Sequence, residues 1–213
     1  MNKHAGFTLV EISIVLVIIG LILGAVFVGG QTLIANTKTT GTISLIKDLS
    51  GAVADFKNRY HYLPGDLPNA HEDISGIVSG TNCDKGNGNG LIDNPTNEIP
   101  CVAQHLVLAG FIKGSPTGIV SPLNAGTLPD VFVMWVNKSQ VFLNVSPNPF
   151  SPTVQNVIEI RGIPCDAAIA IDNKIDDGFT YSGNVMTYPL CQPVPPSTVP
   201  VPPSTITTLD VGL

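Results

Sequence analysis

The sequence predicts an α+β protein in which a long N-terminal helix, membrane-spanning in its first half and amphipathic in its second, packs on a small antiparallel sheet. Three observations carry this. Residues 7–30 form a largely apolar run whose only charge is Glu11. Ile43, Ile46, Leu49, Val53, Phe56 and Tyr60 then recur at spacings of three and four, the period of one helix face. The second half alternates short β-rich runs with turns made of Gly, Pro and Asn. A chain of 213 residues accommodates one ordinary domain beside one membrane segment.

The apolar run comes first. As a helix it would be roughly 36 Å long, enough to cross a hydrocarbon core of about 30 Å with some tilt. A secretory signal peptide has a shorter apolar region, about 7 to 15 residues, followed by a small-residue cleavage site, so cleavage after this run is not expected. Lys3 precedes the run and the first basic residue beyond it is Lys38. The positive-inside rule then leaves the amino terminus in the cytoplasm and everything from about Gln31 onward outside.

Glu11 needs a partner, because a carboxylate in an apolar span costs roughly 2.5 to 3.5 kcal/mol on insertion scales. Its own helix offers no basic residue nearby. If the chain were cut after Gly6, the new α-amine of Phe7 would be largely protonated at neutral pH. It could pair with Glu11 of the same chain or of a neighbour offset along a bundle. The blander alternative is an interfacial carboxylate that reaches the headgroups. Thr8 and Ser13 read as hydroxyls that bond back to carbonyls one turn earlier.

Gly6-Phe7-Thr8-Leu9-Val10-Glu11 followed by an apolar run resembles the cleavage and methylation signal of type IV prepilins and type II secretion pseudopilins. The resemblance is strongest over about residues 1–65. It implies a pilin-like fold, cleavage by a prepilin peptidase after Gly6, N-methylation of Phe7, and Glu11 as the carboxylate that guides assembly. The implied partners are other pilin or pseudopilin subunits, the peptidase, an inner-membrane assembly platform and membrane lipids. The implied location is the bacterial inner membrane, crossed once, with a periplasmic head and entry into a cell-envelope or surface filament. Many members carry a proline late in the apolar helix, where this chain has Val28-Gly29-Gly30.

The expected organisation is a cleaved leader at residues 1–6, a transmembrane helix at 7–30, an amphipathic continuation at 31–61, a periplasmic head at 62–191 and a Pro-rich tail at 192–213. The alternative for the second segment is a separate core helix after a linker at residues 37–42. Pro64-Gly65 ends the helix, since Pro lacks a donor and Pro-Gly suits the middle of a type II turn. Residues 99–109 read as helical up to Gly110, and residues 165–171 as a short helix. Residues 131–136 and 140–145 read as a hairpin, with further strands near 157–161 and 181–187. Pro, Val, Ser and Thr dominate residues 192–203, which should extend without packing.

Cys83, Cys101, Cys165 and Cys191 show no zinc or thioredoxin spacing, and an even number outside the membrane suits two disulfides. Pairing Cys83 with Cys101 and Cys165 with Cys191 closes the shortest loops, although four cysteines allow three connectivities. No cofactor is expected. Ca²⁺ is the one ion for which ligands suggest themselves, in two acidic turns. The first holds Asp84, Asn87, Asn89 and Asp93, but an EF-hand alignment on Gly90 puts Lys85 at the first ligand position and lacks the distal Glu, so a glycine-rich turn fits better. The second holds Asp172, Asp176 and Asp177, where a loop after a short helix is an equal explanation.

A net charge of -6 argues against direct nucleic-acid binding. A G-x-S-x-G elbow, a Walker loop and a dinucleotide fingerprint are all missing from the sequence, and His4, His61, His71 and His105 have no metal spacing. The expectation is a structural filament subunit without enzymatic activity, serving type II secretion. Its alternatives are a subunit of an adhesion, motility or DNA-uptake pilus and, from another class, an anchored periplasmic enzyme.

Overall fold

The computed structural model describes residues 8–113, 132–137, 150–193 and 206–213, with backbone alone at 25–37, 132–137 and 206–207. The chain divides into two units, Met1–Lys38 and Thr39–Leu213. Helix α1 (Leu9–Tyr60) supplies the described structure of the first unit and the opening element of the second. Residues 37–42, read as a candidate linker, are helical.

In the first unit the described side chains of residues 8–24 are all exposed, and apolar residues from Leu9 to Leu23 lie on every side of the helix. A helix apolar all round has no face suited to water, which sets it apart from the amphipathic helices of soluble domains. Among the described residues no helix is long and apolar enough to cross a membrane. The expected span over residues 7–30 also takes in Phe7 and the side chains of residues 25–30, which lie outside them.

In the second unit Ile43, Ile46, Leu49, Ala52, Val53 and Phe56 of α1 are buried in one apolar core, as the three-and-four spacing dictates. The helix stops where His61 turns left-handed, and Pro64-Gly65 forms a tight turn closed by Asp66 N–H donating to the Leu63 carbonyl at 3.1 Å. Short helix α2 (Ala70–Asp73), single 3₁₀ turns at Asn82–Asp84 and Ile99–Cys101, and helix α3 (Val102–Leu108) follow.

Strands β1 (Phe132–Asn137), β2 (Asn156–Pro164), β3 (Val185–Tyr188) and β4 (Ile206–Gly212), with helix α4 (Cys165–Ile175) between β2 and β3, are the remaining elements among the described residues. The sheet is fully antiparallel in the order β1-β2-β4-β3. Cross-strand partners share a face, so Ile160 with Leu209, and Ile158, Val211 and Val185 together, join the core that α1 enters. The opposite face carries Val157, Glu159, Asp210 and Met186. Gly162, at a φ of +80°, is the extra residue of a bulge between Arg161 and Ile163. Without it strict alternation would turn Ile163 out of the core in which it is buried.

The structure corrects the expected tail. Residues 206–212 form an interior strand, flanked by β2 and β3, with Leu209 and Asp210 fully buried. Ile206-Thr207-Thr208-Leu209-Asp210-Val211 is β-branched and alternating enough for a pleated surface. The proline-rich stretch before it hid that pattern. Of the expected hairpin, β1 matches the first strand and pairs with β2, whereas residues 140–145 lie outside the described residues.

Candidate functional site

The amino-terminal signal is described from Thr8 onward; Gly6 and Phe7 lie outside the described residues. Thr8 stands just before α1 and makes a capping box with Glu11. Its N–H and Oγ1 each donate to Glu11 Oε2 at 2.8 Å, while Glu11 N–H donates to Thr8 Oγ1 at 3.3 Å. Such reciprocal caps satisfy helix-end donors that have no partner within the helix. Ser13 Oγ donates back to the Val10 carbonyl at 2.8 Å. The role of Thr8 was legible in the sequence as Thr8-Leu9-Val10-Glu11, the T-x-x-E pattern, which a reading centred on the charge of Glu11 passes over. Glu11 is thus presented at an exposed helix start, held among the described residues by Thr8.

The first acidic turn does not converge on a cation. Asp84 Oδ1 accepts from His71 N–H at 2.9 Å and lies 2.7 Å from His71 Nδ1, while its Oδ2 accepts from Gly80 N–H at 2.9 Å. These backbone donors hold its carboxyl down at about 2. Asn87 Oδ1 and Asn89 Oδ1 accept from N–H groups two residues on, and Asn89 Nδ2 reaches Asp93 at 3.4 Å. The loop instead wraps two buried carboxylates. Asp66 accepts from Gly88, Asn89 and Gly90 N–H, and Glu98 from Asn87, Asp93 and Asn94 N–H. Burial pushes both carboxyls above the ordinary range, against the pull of those donors. Sequence reasoning missed Asp66 and Glu98; the available signal was a Gly- and Asn-rich run whose backbone donors need acceptors.

His105 is a core residue. Its Nδ1 accepts from Gly65 N–H at 3.0 Å, which leaves Nε2–H to donate to the Cys83 carbonyl at 2.7 Å. Burial lowers its pKa, and its ring stacks on Phe56 at 6.0 Å. The imidazole thereby ties the Pro64-Gly65 turn to the first disulfide.

The disulfides join Cys83 to Cys101 and Cys165 to Cys191. Sequence separations of 18 and 26 make each worth about 3 kcal/mol through loop closure in the unfolded chain. Replacing Cys165 and Cys191 together by alanine should therefore lower unfolding stability by about 3 kcal/mol, read from denaturant midpoints. An unchanged midpoint would mean that α4 and the segment after β3 are held without the bridge.

Asp172, at the end of α4, and Asp176 and Asp177, just beyond it, each bring one carboxylate oxygen within 4.8 Å of the others. Asp172 is fully buried, Asp176 half-buried and Asp177 exposed. Burial first, and then the charges of Asp176 and Asp177, push the Asp172 carboxyl up to about 6.

Compared with known proteins, residues 1–27 match the family model described as the prokaryotic N-terminal methylation motif. No curated protein and no solved structure matches the chain. The motif is a prepilin-type signal, consistent with the type IV pilin and pseudopilin family. It implies a subunit that a prepilin peptidase processes, that the inner membrane anchors and that assembles with other pilin subunits. The α+β fold, with its antiparallel sheet, is consistent with a pilin-like architecture.

Proposed function

We propose that this chain is a pseudopilus subunit of a type II secretion machine, cut after Gly6, methylated on Phe7 and held by residues 7–30 in the inner membrane until it is drawn into a filament. The observation that carries the proposal is the methylation motif over residues 1–27, within which the apolar side chains of α1 from Leu9 to Leu23 are exposed on every side. Lateral packing of such helices gives those side chains partners.

Cleavage changes the neighbourhood of Glu11. In the uncut chain its carboxylate caps α1 through Thr8. After cleavage the Phe7 amine is a charged donor one residue away from that cap. Glu11 can exchange Thr8 for such an amine on a neighbouring subunit, and the pairing sets the axial register of the filament. The ATP-driven work of extraction belongs to the assembly platform, and the disulfide-bonded head faces outward.

Intact-mass and amino-terminal analysis of protein purified from membranes of its native host tests the processing step. The expected result is loss of residues 1–6 and a methylated Phe7; an intact Met1 terminus overturns it. Among the machines served by such signals, the acidic balance disfavours direct DNA capture. Deleting the gene should therefore stop export of secretion substrates while leaving DNA uptake and twitching motility unchanged.

A further inference from the structure

We propose that Asn87-Gly88 and Asn89-Gly90 are two latent deamidation sites and that Asp66 keeps them closed by holding both glycine amides. In the reaction the backbone nitrogen of a glycine attacks Cγ of the asparagine before it. The Cγ–Nδ2 bond breaks, the glycine amide proton leaves with Nδ2 as ammonia, and a five-membered succinimide remains. Water then opens the ring at either carbonyl, giving aspartate or isoaspartate. Glycine suits the attacking position because it has no side chain to hinder approach and a backbone free to bend.

The fold cannot avoid these pairs. Gly88 and Gly90 both have left-handed φ, at +71° and +83°. A Cβ on Gly88 would also stand 2.9 Å from Tyr62 Cε1 and 3.1 Å from Pro68 Cγ. The asparagines are equally tied to the turn. Asn87 Oδ1 accepts from Asn89 N–H at 2.9 Å, and Asn89 Oδ1 from Leu91 N–H at 2.7 Å. The reactive dipeptide thus stands at two places where the shape of the backbone calls for both residue types.

Asp66 answers both with a single carboxylate. Its Oδ1 accepts from Gly88 N–H at 2.7 Å and its Oδ2 from Gly90 N–H at 2.8 Å. The Asp66 carbonyl also accepts from Gly88 N–H, at 3.1 Å. Asp66 is fully buried, and the loop presses on it: a Cβ on Gly86 would stand 2.2 Å from its carbonyl carbon. To react, each glycine nitrogen must give up its proton and approach the asparagine Cγ, so it must first leave a charge-assisted hydrogen bond. Glu98 orders the same loop through other amides, those of Asn87, Asp93 and Asn94. The Cys83–Cys101 disulfide encloses the whole segment.

Loss of the guard has a defined consequence. Asn89 Nδ2 donates to Asp93 Oδ2 at 3.4 Å, and deamidation puts a carboxylate oxygen in its place. Two like charges then face each other, and isoaspartate lengthens the main chain by a methylene.

The test incubates the full chain in detergent micelles at mildly alkaline pH, beside a synthetic linear peptide of residues 84–94. Mass spectrometry of the digested loop follows succinimide, aspartate and isoaspartate. At both pairs the parent should react at least about tenfold more slowly than the peptide, the worth of one charge-assisted hydrogen bond. Asp66→Asn has one side-chain oxygen where the parent has two, so at least one pair should react about tenfold faster than in the parent. Glu98→Gln is the control: it loosens the same loop with Asp66 in place, and its rates should stay near those of the parent. Hydrogen exchange at Gly88 and Gly90, slow in the parent and fast in the peptide, checks the guard without any substitution. Parent rates equal to those of the peptide, fast exchange at both glycines of the folded parent, no acceleration in Asp66→Asn, or equal acceleration in Glu98→Gln would each overturn the proposal.

Discussion

Glu11→Ala chains should be inserted and cut normally yet fail to enter filaments, with the sheared-filament fraction falling roughly a hundredfold. Glu11 is the one charge among residues 7–30, so its removal favours insertion by roughly 2.5 to 3.5 kcal/mol, and loss of assembly could not be blamed on a failure to reach the membrane. In the proposed filament the carboxylate is paired with an amine in an apolar bundle. Removing one partner of a buried pair costs about 3 to 5 kcal/mol, which covers a hundredfold loss per contact. The capping box supplies the control. Glutamine also serves at the third helical position, so Glu11→Gln keeps the bond to Thr8 but cannot pair as an ion. Immunoblots of membrane and filament fractions should show both variants in the membrane and neither in filaments. If the glutamine chain assembled like the parent, the function of Glu11 would be capping alone; if alanine did so too, the assembly mechanism would be wrong.

Asp210→Asn should make the fold markedly less sensitive to alkaline pH. Asp210 sits in the interior strand β4, fully buried, with both carboxylate oxygens lacking a hydrogen-bond partner among the described residues. Its cross-strand neighbours are Glu159 on β2 and Met186 on β3. Burial, reinforced by Glu159 and opposed by Arg161, raises its pKa from 3.8 to about 8. Arg161 Nε is itself engaged by Glu159. Between those two values the native state holds a proton that the unfolded chain has released, so stability falls as pH rises, by about 1.4 kcal/mol per unit. The cost is absent below about pH 4 and complete above about pH 8. From pH 5 to pH 8 the parent should lose about 4 kcal/mol through this residue, and the asparagine variant, with the same volume and no charge, should not. Denaturant midpoints of both full-length chains at the two pH values measure the difference. Parallel losses in parent and variant would show that Asp210 is not the titrating group.

Much of the fold could be read from local pattern. The spacing of Ile43, Ile46, Leu49, Val53 and Phe56 specifies a buried helix face whatever it packs against, because those positions share one side of a 3.6-residue turn. Pro64-Gly65 likewise encodes a turn by backbone sterics alone. The site was legible in the same way, since the methylation motif is a contiguous string of residues. Asp66 and Glu98 were not legible as a pair. Asp66 becomes an acceptor only once residues 88–90, more than 20 positions on, have closed over it, and the same loop reaches Glu98 through Asn87.

The sequence by itself determined the amino-terminal signal, the long helix and its buried stripe, and a cysteine set able to form two local bridges, because each depends on residues close together in the chain. Only the tertiary structure decided that residues 206–212 form an interior strand, that Asp210 lies buried beside Glu159, and that Asp172 converges with Asp176 and Asp177. Strand order and burial are set by which distant segments meet. β4 pairs with a strand 42 to 55 residues earlier, and its register and the depth of its side chains follow from that pairing rather than from its own composition.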